Sequence, residues 1–400
     1  MTTVSTTMDI NAQVDSLLED FPPQTTDVVT FLGEQFDRGL AWVHFPVGCG
    51  GQGGTPTDQQ QALRRLAEAG APSAAMRNVI GYGMCAPTLV AHGSEANQSR
   101  YLRPLFTGEE VWCQLFSEPG AGSDVATLGT RADRDGGEWI LNGQKVWTTL
   151  AHLASFGLII ARSNPDAVKH KGITAFIVDM RAPGVDVRPL YQATGEAEFN
   201  ECFFTDVRVN DDQRLGDVGE GWGVSITTLM NERVSIGGTI PPRGSGLIGE
   251  AVRIWKDRWV NRKDSHAQAI RSELLQAWVR NEVNRLTNQR ASDNRKSGTP
   301  GPEGSVAKLG FAEENQRTSE LCVDLLGADG MLYHSEYPKV RPTEAMGRGD
   351  VRQTFIRMRA NSIEGGTSEV MRNIIGERVL GLPGEPRNDK DVPWKDVPRG

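Results

Sequence analysis

A chain of 400 residues is long enough for two or three domains around a sizeable buried core. Its 38% hydrophobic and 24% charged content is that of an ordinary soluble globular protein, and the net charge of -8 excludes a general nucleic-acid surface, which needs clustered Lys and Arg. No apolar run approaches the length of a membrane span.

The stretch Met1–Phe21 lacks Lys and Arg and carries Asp9, Asp15, Glu19 and Asp20, the wrong charge for a secretory or organellar targeting peptide. The five cysteines are scattered and odd in number, which fits reduced thiols in a cytoplasmic protein, and neither they nor the six histidines form a metal-type pair. Up to about Glu110, apolar residues recur at helical spacing, as at Val14, Leu17 and Leu18 and again at Leu63, Leu66 and Ala67, with a glycine-rich loop at Gly48–Gly54 between them. From Val111 to about Asn210 the texture is that of strands: Trp139–Leu141, Phe156–Ala161, Ile173–Val178 and Phe199–Val209 are short, apolar or alternating runs. Gly and Asn clusters punctuate them at Asp135–Gly137, Asn142–Gly143 and Ala182–Gly184. From Gly221 helical patterns return over Ala269–Ala291, Val306–Leu326, Arg352–Ser362 and Thr367–Leu380, with a Pro/Gly loop at Ser297–Gly304. The expected division is a helical part at 1–110, a β part at 111–215, a helical part at 216–385 and a loose polar tail at 386–400. The order helices, strands, helices predicts an α+β protein and excludes a doubly wound nucleotide fold.

Four segments carry candidate chemistry. In Gln114–Asp124 two glycines and an alanine admit close backbone approach and Ser117 and Ser123 offer hydroxyls. It is not a dinucleotide fingerprint, because Val125 stands where a third glycine is needed, and by itself it is a ligand loop or an ordinary surface turn. In Asn142–Thr149 an Asn-Gly pair suggests a hairpin turn, followed by a strand with Trp147 and Thr149 on one face. That face suits a flat heteroaromatic ring with polar edges, and a core tryptophan beside a β-prone threonine is the simpler account of it taken alone. In Gly365–Asn373, Thr367 or Ser368 is a good N-cap with Glu369 in the first turn, and the glycines leave the helix N-terminus open to an anion or polar ligand. In Leu229–Val234, Glu232 and Arg233 point about 100° apart on a helix and need not neutralise each other, although a solvated carboxylate is the commoner case.

Taken together, Ser117–Asp124, Leu141–Thr149 and Gly365–Asn373, in this order and spacing, resemble the acyl-CoA dehydrogenase family, over roughly Val43 to Pro383. The resemblance implies an N-terminal helical domain, a middle β-barrel-like domain and a C-terminal four-helix bundle, assembled as a homotetramer or dimer. It implies FAD as cofactor, held by Gln114, Phe116, Ser117, Gly122, Ser123, Trp147, Thr149, Thr367 and Glu369, with Thr149 near the reactive nitrogen. Asp324 and Gly327 match the segment that reaches a neighbouring subunit's FAD, and Asp324 departs from the glutamine common there. Ser123, Arg233 and Gly366 would face the acyl-CoA.

The reaction implied is α,β-dehydrogenation of an acyl-CoA in fatty-acid, branched-chain or sterol side-chain catabolism, with electrons passed to an electron-transfer flavoprotein or similar acceptor. Many members carry the catalytic glutamate where Gly365 stands here. Others hold it before a Glu-Arg pair on an earlier helix, which Glu232 matches, so Glu232 is the expected base and Glu364 the fallback. The Gly365 N–H would help polarise the thioester carbonyl. Two rivals remain at this stage: a flavin oxidase or monooxygenase on the same fold, and a non-catalytic subunit of a heteromeric dehydrogenase.

Overall fold

The computed structural model describes residues 9–237, 240–296, 303–333, 339–343, 349–386, 389 and 391–397. Backbone contacts divide the chain into two units, one of Met1–Arg188, Asn200–Thr228 and Asp389–Gly400 and the other of Pro189–Phe199 and Leu229–Asn388. The expected N-terminal and β parts thus share one unit, because buried polar groups tie them together.

The first unit opens with six helices: α1 Ile10–Asp20, α2 Val28–Asp37, α3 Pro56–Glu68, α4 Ala74–Arg77, α5 Ala86–His92 and α6 Glu95–Thr107. Local chemistry starts them. Asp9 and Asp27 cap α1 and α2 by accepting backbone N–H bonds, and α3 begins with a Thr55–Asp58 capping box and a proline in its first turn. Ile10, Val14 and Leu17 form the buried stripe of α1, at the spacing that brings them to one face. A turn of π-helix at Gly81–Cys85 leads into α5. Phe36, Trp42, Phe45, Tyr82 and Phe106 pack as one aromatic cluster, with Trp42 stacked on Tyr82 at 5.2 Å between centroids. Asn78, 1% exposed, joins this region to the strands: its amide donates to the carbonyls of Leu105 and Glu110 and its oxygen accepts from Trp112 N.

The strands are β1 Trp112–Leu115, β2 Arg131–Asp135, β3 Glu138–Thr149, β4 Phe156–Arg162, β5 Ile173–Asp179, β6 Val185–Leu190, β7 Phe199–Asn210 and β8 Arg214–Leu215. They form an eight-stranded mixed sheet in the order β6-β7-β3-β2-β4-β5-β8, with β1 added parallel to β4. Trp139, Leu141, Ile159, Phe176, Val178, Cys202 and Phe204 supply its buried face. The tight turn of the β2–β3 hairpin falls at Gly136–Gly137, since Asp135 pairs with Glu138. Asn142–Gly143 is therefore not a turn: β3 runs straight through it. The Asn-Gly pair serves a close approach instead. A Cβ on Gly143 would lie 2.7 Å from the Cα of Thr130, and Asn142 exchanges hydrogen bonds with Asp206.

Helix α7, Gly221–Gly237, contributes its residues up to Thr228 to this unit and the rest to the second. The second unit continues with α8 Leu247–Arg258, α9 Ser265–Lys296, α10 Glu303–Leu326, α11 Val351–Arg357 and α12 Ser368–Arg378. Helix α10 packs against α8, α9, α11 and α12. Ile248, Ala251, Ile254, Trp259, Ile270, Leu274, Leu321 and Leu325 form the core between α8, α9 and α10. Helix α8 and the early start of α9 escape the periodicity reading, and the Ser297–Gly304 loop lies mostly outside the described residues.

Replacing Gly143 with Ala should destabilise the protein by roughly 1–3 kcal/mol, because the added methyl meets Thr130 backbone in a packed sheet. Urea unfolding should show a lower midpoint with an unchanged slope.

Candidate active site

In the first unit the Gln114–Asp124 segment leaves β1 and turns back on itself, with Glu118 and Ala121 exchanging both backbone hydrogen bonds at 3.0 Å. The turn is anchored from beneath by the Glu118 side chain. One oxygen accepts from Lys145 Nζ at 2.8 Å and Thr130 N at 2.9 Å, and the other from Gly129 N at 2.6 Å. Lys145, on β3, is fully buried and also donates to the Phe116 carbonyl at 3.1 Å. Val146 N donates to Ser117 O at 2.9 Å, so the motif and the β3 end are fixed to each other.

Burial works against the Glu118 charge, but Lys145 and the N–H donors outweigh it and hold the carboxyl below its ordinary value. Burial lowers the Lys145 pKa, and Glu118 offsets only part of that. Neither residue was singled out from sequence. The signal available was their presence in the two quoted motifs, without anything to pair them.

Above this base Gly122 and Ser123 are exposed, Gln114 and Ser117 half-buried. Phe116 is 4% exposed, backbone included, and its carbonyl accepts from Lys145. Trp147 is 58% exposed and sits at φ 60°, a left-handed backbone that a bulky side chain rarely adopts. Thr149, two residues on, is half-buried on the same strand face, and Thr148 between them is buried.

In the second unit Gly365 and Gly366 have φ of 65° and 91°, and Thr367 caps α12 by accepting from Val370 N at 3.1 Å. Buried Lys308 of α10 holds this loop by donating to the carbonyls of Asn361 and Gly366. Ser368 is 4% exposed with no hydrogen-bond partner for its hydroxyl among the described residues, whereas the Glu369 side chain is 79% exposed. Together with Gln316, Glu320 and Ser362, residues Thr367–Glu369 line an open depression of about 460 Å³.

Glu364 is committed elsewhere. Arg357 donates to both its oxygens, at 3.3 and 3.1 Å, and Asn361 Nδ2 donates to one at 2.5 Å. Arg357 is 7% exposed and also pairs with Glu198 at 3.1 Å, itself 2% exposed. Burial opposes the guanidinium charge, and Glu364 and Glu198 more than compensate, so its pKa moves up. This buried triad was not foreseen, since Glu198 and Arg357 are 159 residues apart.

Glu232 is half-buried on α7, and the side chain of Arg233 lies outside the described residues. Asp324 lies one turn beyond Glu320 on α10, about 6 Å further along at helical rise, and Gly327 follows the end of that helix.

Three family models match the chain: the acyl-CoA dehydrogenase N-terminal domain over 9–109, the middle domain over 113–207 and the C-terminal domain over 219–380. Acyl-CoA dehydrogenase IpdE1 of Mycobacterium tuberculosis is 36% identical over 355 residues, covering 87% of this chain and 86% of IpdE1. Acyl-CoA dehydrogenase FadE34 of the same organism is 35% identical over 351 residues, and the match spans 87% of this chain but 45% of FadE34. The structure is also similar to a chain of the ChsE4-ChsE5 complex of M. tuberculosis, with a TM-score of 0.70 and 26% identity over 96% of this chain and 100% of that one. The chain belongs to the acyl-CoA dehydrogenase family. It is an oxidoreductase that dehydrogenates acyl-CoA thioesters, and the other members of its family are FAD-dependent.

Lys145→Met should cost about 3–5 kcal/mol by leaving Glu118 buried without its cation, and Lys145→Met/Glu118→Gln should recover part of that. The folded Glu118 pKa lies below its unfolded value of 4.5, so its contribution is full above 4.5 and is lost as pH falls through the folded pKa. In acid titrations followed by thermal unfolding, wild type should lose that increment below 4.5 and the double variant should not.

Proposed function

We propose that this enzyme binds FAD and uses Glu232 as the base that takes the α-proton of a lipid-derived acyl-CoA. The residues present fit the cofactor. Trp147 and Thr149 offer an exposed aromatic plane and a hydroxyl on one strand face. A Cβ at Gly120 or Gly122 would meet open space, so a ligand can approach that backbone. The unpartnered Ser368 hydroxyl at the N-terminus of α12 suits a polar or anionic group. Gln114, Phe116, Ser117, Gly122, Ser123, Trp147, Thr149, Thr367 and Glu369 would hold FAD. When bound, FAD supplies the acceptor for the substrate's β-hydrogen.

The chain's own groups do the proton chemistry. The Gly365 N–H would donate to the thioester carbonyl, which acidifies the α-carbon. Ser123, Arg233 and Gly366 would orient the acyl-CoA, and the Glu232 carboxylate would receive the α-proton. The observation that carries this assignment is the engagement of Glu364: both its oxygens are held by the buried Arg357 guanidinium, so the side chain is not free to turn toward a substrate. Fatty, branched-chain and sterol side-chain acyl groups are the substrates this reading admits, with an electron-transfer flavoprotein or similar acceptor taking the electrons. The five buried free thiols support a cytoplasmic setting.

Oligomerisation is part of the reading. Leu275, Val279, Val283 and Leu286 form an exposed apolar stripe along one face of α9, which suits a subunit interface. Asp324 and Gly327 would serve the FAD of a neighbouring copy, in a homotetramer or dimer. The likeness to a chain of the ChsE4-ChsE5 complex supports a heteromeric assembly as the second reading. Sedimentation with flavin quantitation separates them: one FAD per chain in a homo-oligomer supports the first, and a flavin-poor protein active only with a second chain supports the other.

Anaerobic mixing of holoenzyme with an acyl-CoA panel, followed by flavin bleaching, tests the base. Glu232→Gln should bleach about 10²–10⁴-fold more slowly with acyl-CoA binding retained. Glu364→Gln should bleach within about tenfold of wild type but melt at a lower temperature, because Arg357 loses a buried partner. Wild-type bleaching by Glu232→Gln would remove the assignment.

A further inference from the structure

The tail expected to be loose is in part docked, and what it docks on is the loop behind the Ser117–Asp124 motif. Two buried cations grip that loop. Arg162, at the end of β4 and 2% exposed, donates through Nη2 to Ala126 O and through Nη1 to Lys169 O, each at 2.7 Å. Lys169, 3% exposed, places Nζ 2.6 Å from the Asp124 carboxylate, which is itself 57% exposed.

Asp389 and Trp394 cover both cations. Asp389 pairs with Lys169 Nζ, and the Trp394 ring lies over the Arg162 guanidinium at 4.7 Å. The Trp394 indole also donates directly to the loop, to Thr127 O at 3.1 Å. The covering segment has its own footing. Trp394 N donates to Ala167 O at 2.9 Å, Lys395 N to Pro165 O at 3.0 Å, and Lys395 Nζ pairs with Asp166 at 2.7 Å.

We propose that Asp389 and residues 391–397 form a strap that sets the position of the Ser117–Asp124 motif, with Trp394 and Asp389 as positioning residues for the cofactor- and thioester-facing Ser117 and Ser123. The proposal rests on the reading that this motif meets FAD and acyl-CoA. Without the strap, Lys169 and Arg162 face water. Their bonds to Asp124 and Ala126 then become surface interactions that compete with solvent, and the indole bond to Thr127 is gone. The loop keeps its Glu118–Lys145 anchor but loses the hold on its far end.

The test uses the full-length protein, a variant ending at Pro386, and the point variants Trp394→Ala, Trp394→Phe and Asp389→Asn. Amide hydrogen exchange at Thr127, Leu128, Gly129 and Thr130 reads the loop without cofactor. FAD affinity by fluorescence titration, and KM against kcat for an acyl-CoA, read the motif. The expected result is exchange about tenfold faster in Trp394→Ala and the truncation, with FAD affinity and KM worsened several-fold and kcat changed less. Trp394→Phe, which keeps a ring over Arg162, should restore part of the effect. A synthetic peptide of residues 387–400 added to the truncated protein should also restore it. Unchanged exchange in folded Trp394→Ala and Asp389→Asn overturns the proposal. So does faster exchange with FAD affinity intact. If the truncated chain does not fold, the point variants decide. If wild type binds no FAD, the cofactor reading fails, and the exchange arm alone then supports or overturns the strap.

Discussion

A lysine ammonium with no exposed surface needs an anion beside it, and Lys145 finds Glu118. That requirement binds the middle of β3 to the turn after β1. The rest of the first unit's candidate site follows from it. The Glu118 carboxylate, once held by Lys145, has its remaining lone pairs filled by Thr130 N and Gly129 N, which pins the start of β2 under the turn. The Lys145 bond to Phe116 O and the Val146 bond to Ser117 O then leave the Gly120–Ser123 crest little freedom except outward. A neutral side chain at 145 could fill the same volume but could not hold the carboxylate on which the two backbone N–H groups of Gly129 and Thr130 converge. A buried ion pair is weak support for stability, yet it fixes geometry well, because any displacement exposes an uncompensated charge to low dielectric.

The second unit uses the same device. Arg357 is clamped between Glu198 and Glu364, and Lys308 donates to the carbonyls of Asn361 and Gly366. Between them these two cations hold both ends of the Asn361–Gly366 turn that leads into α12. The Glu198 partner comes from the Pro189–Phe199 segment, which belongs to this unit although its neighbours on either side in sequence do not. The segment is tied in again by Tyr333, whose hydroxyl donates to Thr194 O at 2.8 Å, and by Ala197 N, which donates to Val340 O at 2.7 Å. Motif loops rich in glycine have little internal stiffness. In both units the stiffness is supplied from buried charge beneath.

The family, the order of helical and strand regions and the three motifs were legible because each is a local signal: a period, a cap, or a run of residues at fixed spacing. What escaped was relational. Glu118 and Lys145 stood in quoted motifs, but nothing in a linear chain joins positions 27 apart. The Asn142–Gly143 pair was misread as a turn because Asn-Gly is the strongest short hairpin cue. The register of β2 on β3 overrides it, with glycine needed against Thr130 rather than for a reversal. The tail was misjudged for a similar reason. Proline and charge in Asp391–Val397 signal a solvated segment, and a single tryptophan reaching Thr127, 267 residues away, reverses that.

The glycine at 365 is more than a missing glutamate. Its φ of 65° and the 91° of Gly366 make two consecutive left-handed residues, a conformation that costs an L side chain about 1–2 kcal/mol at each. The preceding carboxylate, Glu364, is turned back onto Arg357 and Asn361 by that same reversal. A glutamate introduced at 365 would therefore carry strain. The local backbone disfavours a side chain there. Glu232 on α7, the carboxylate the sequence pattern offers, is for that reason the base proposed above.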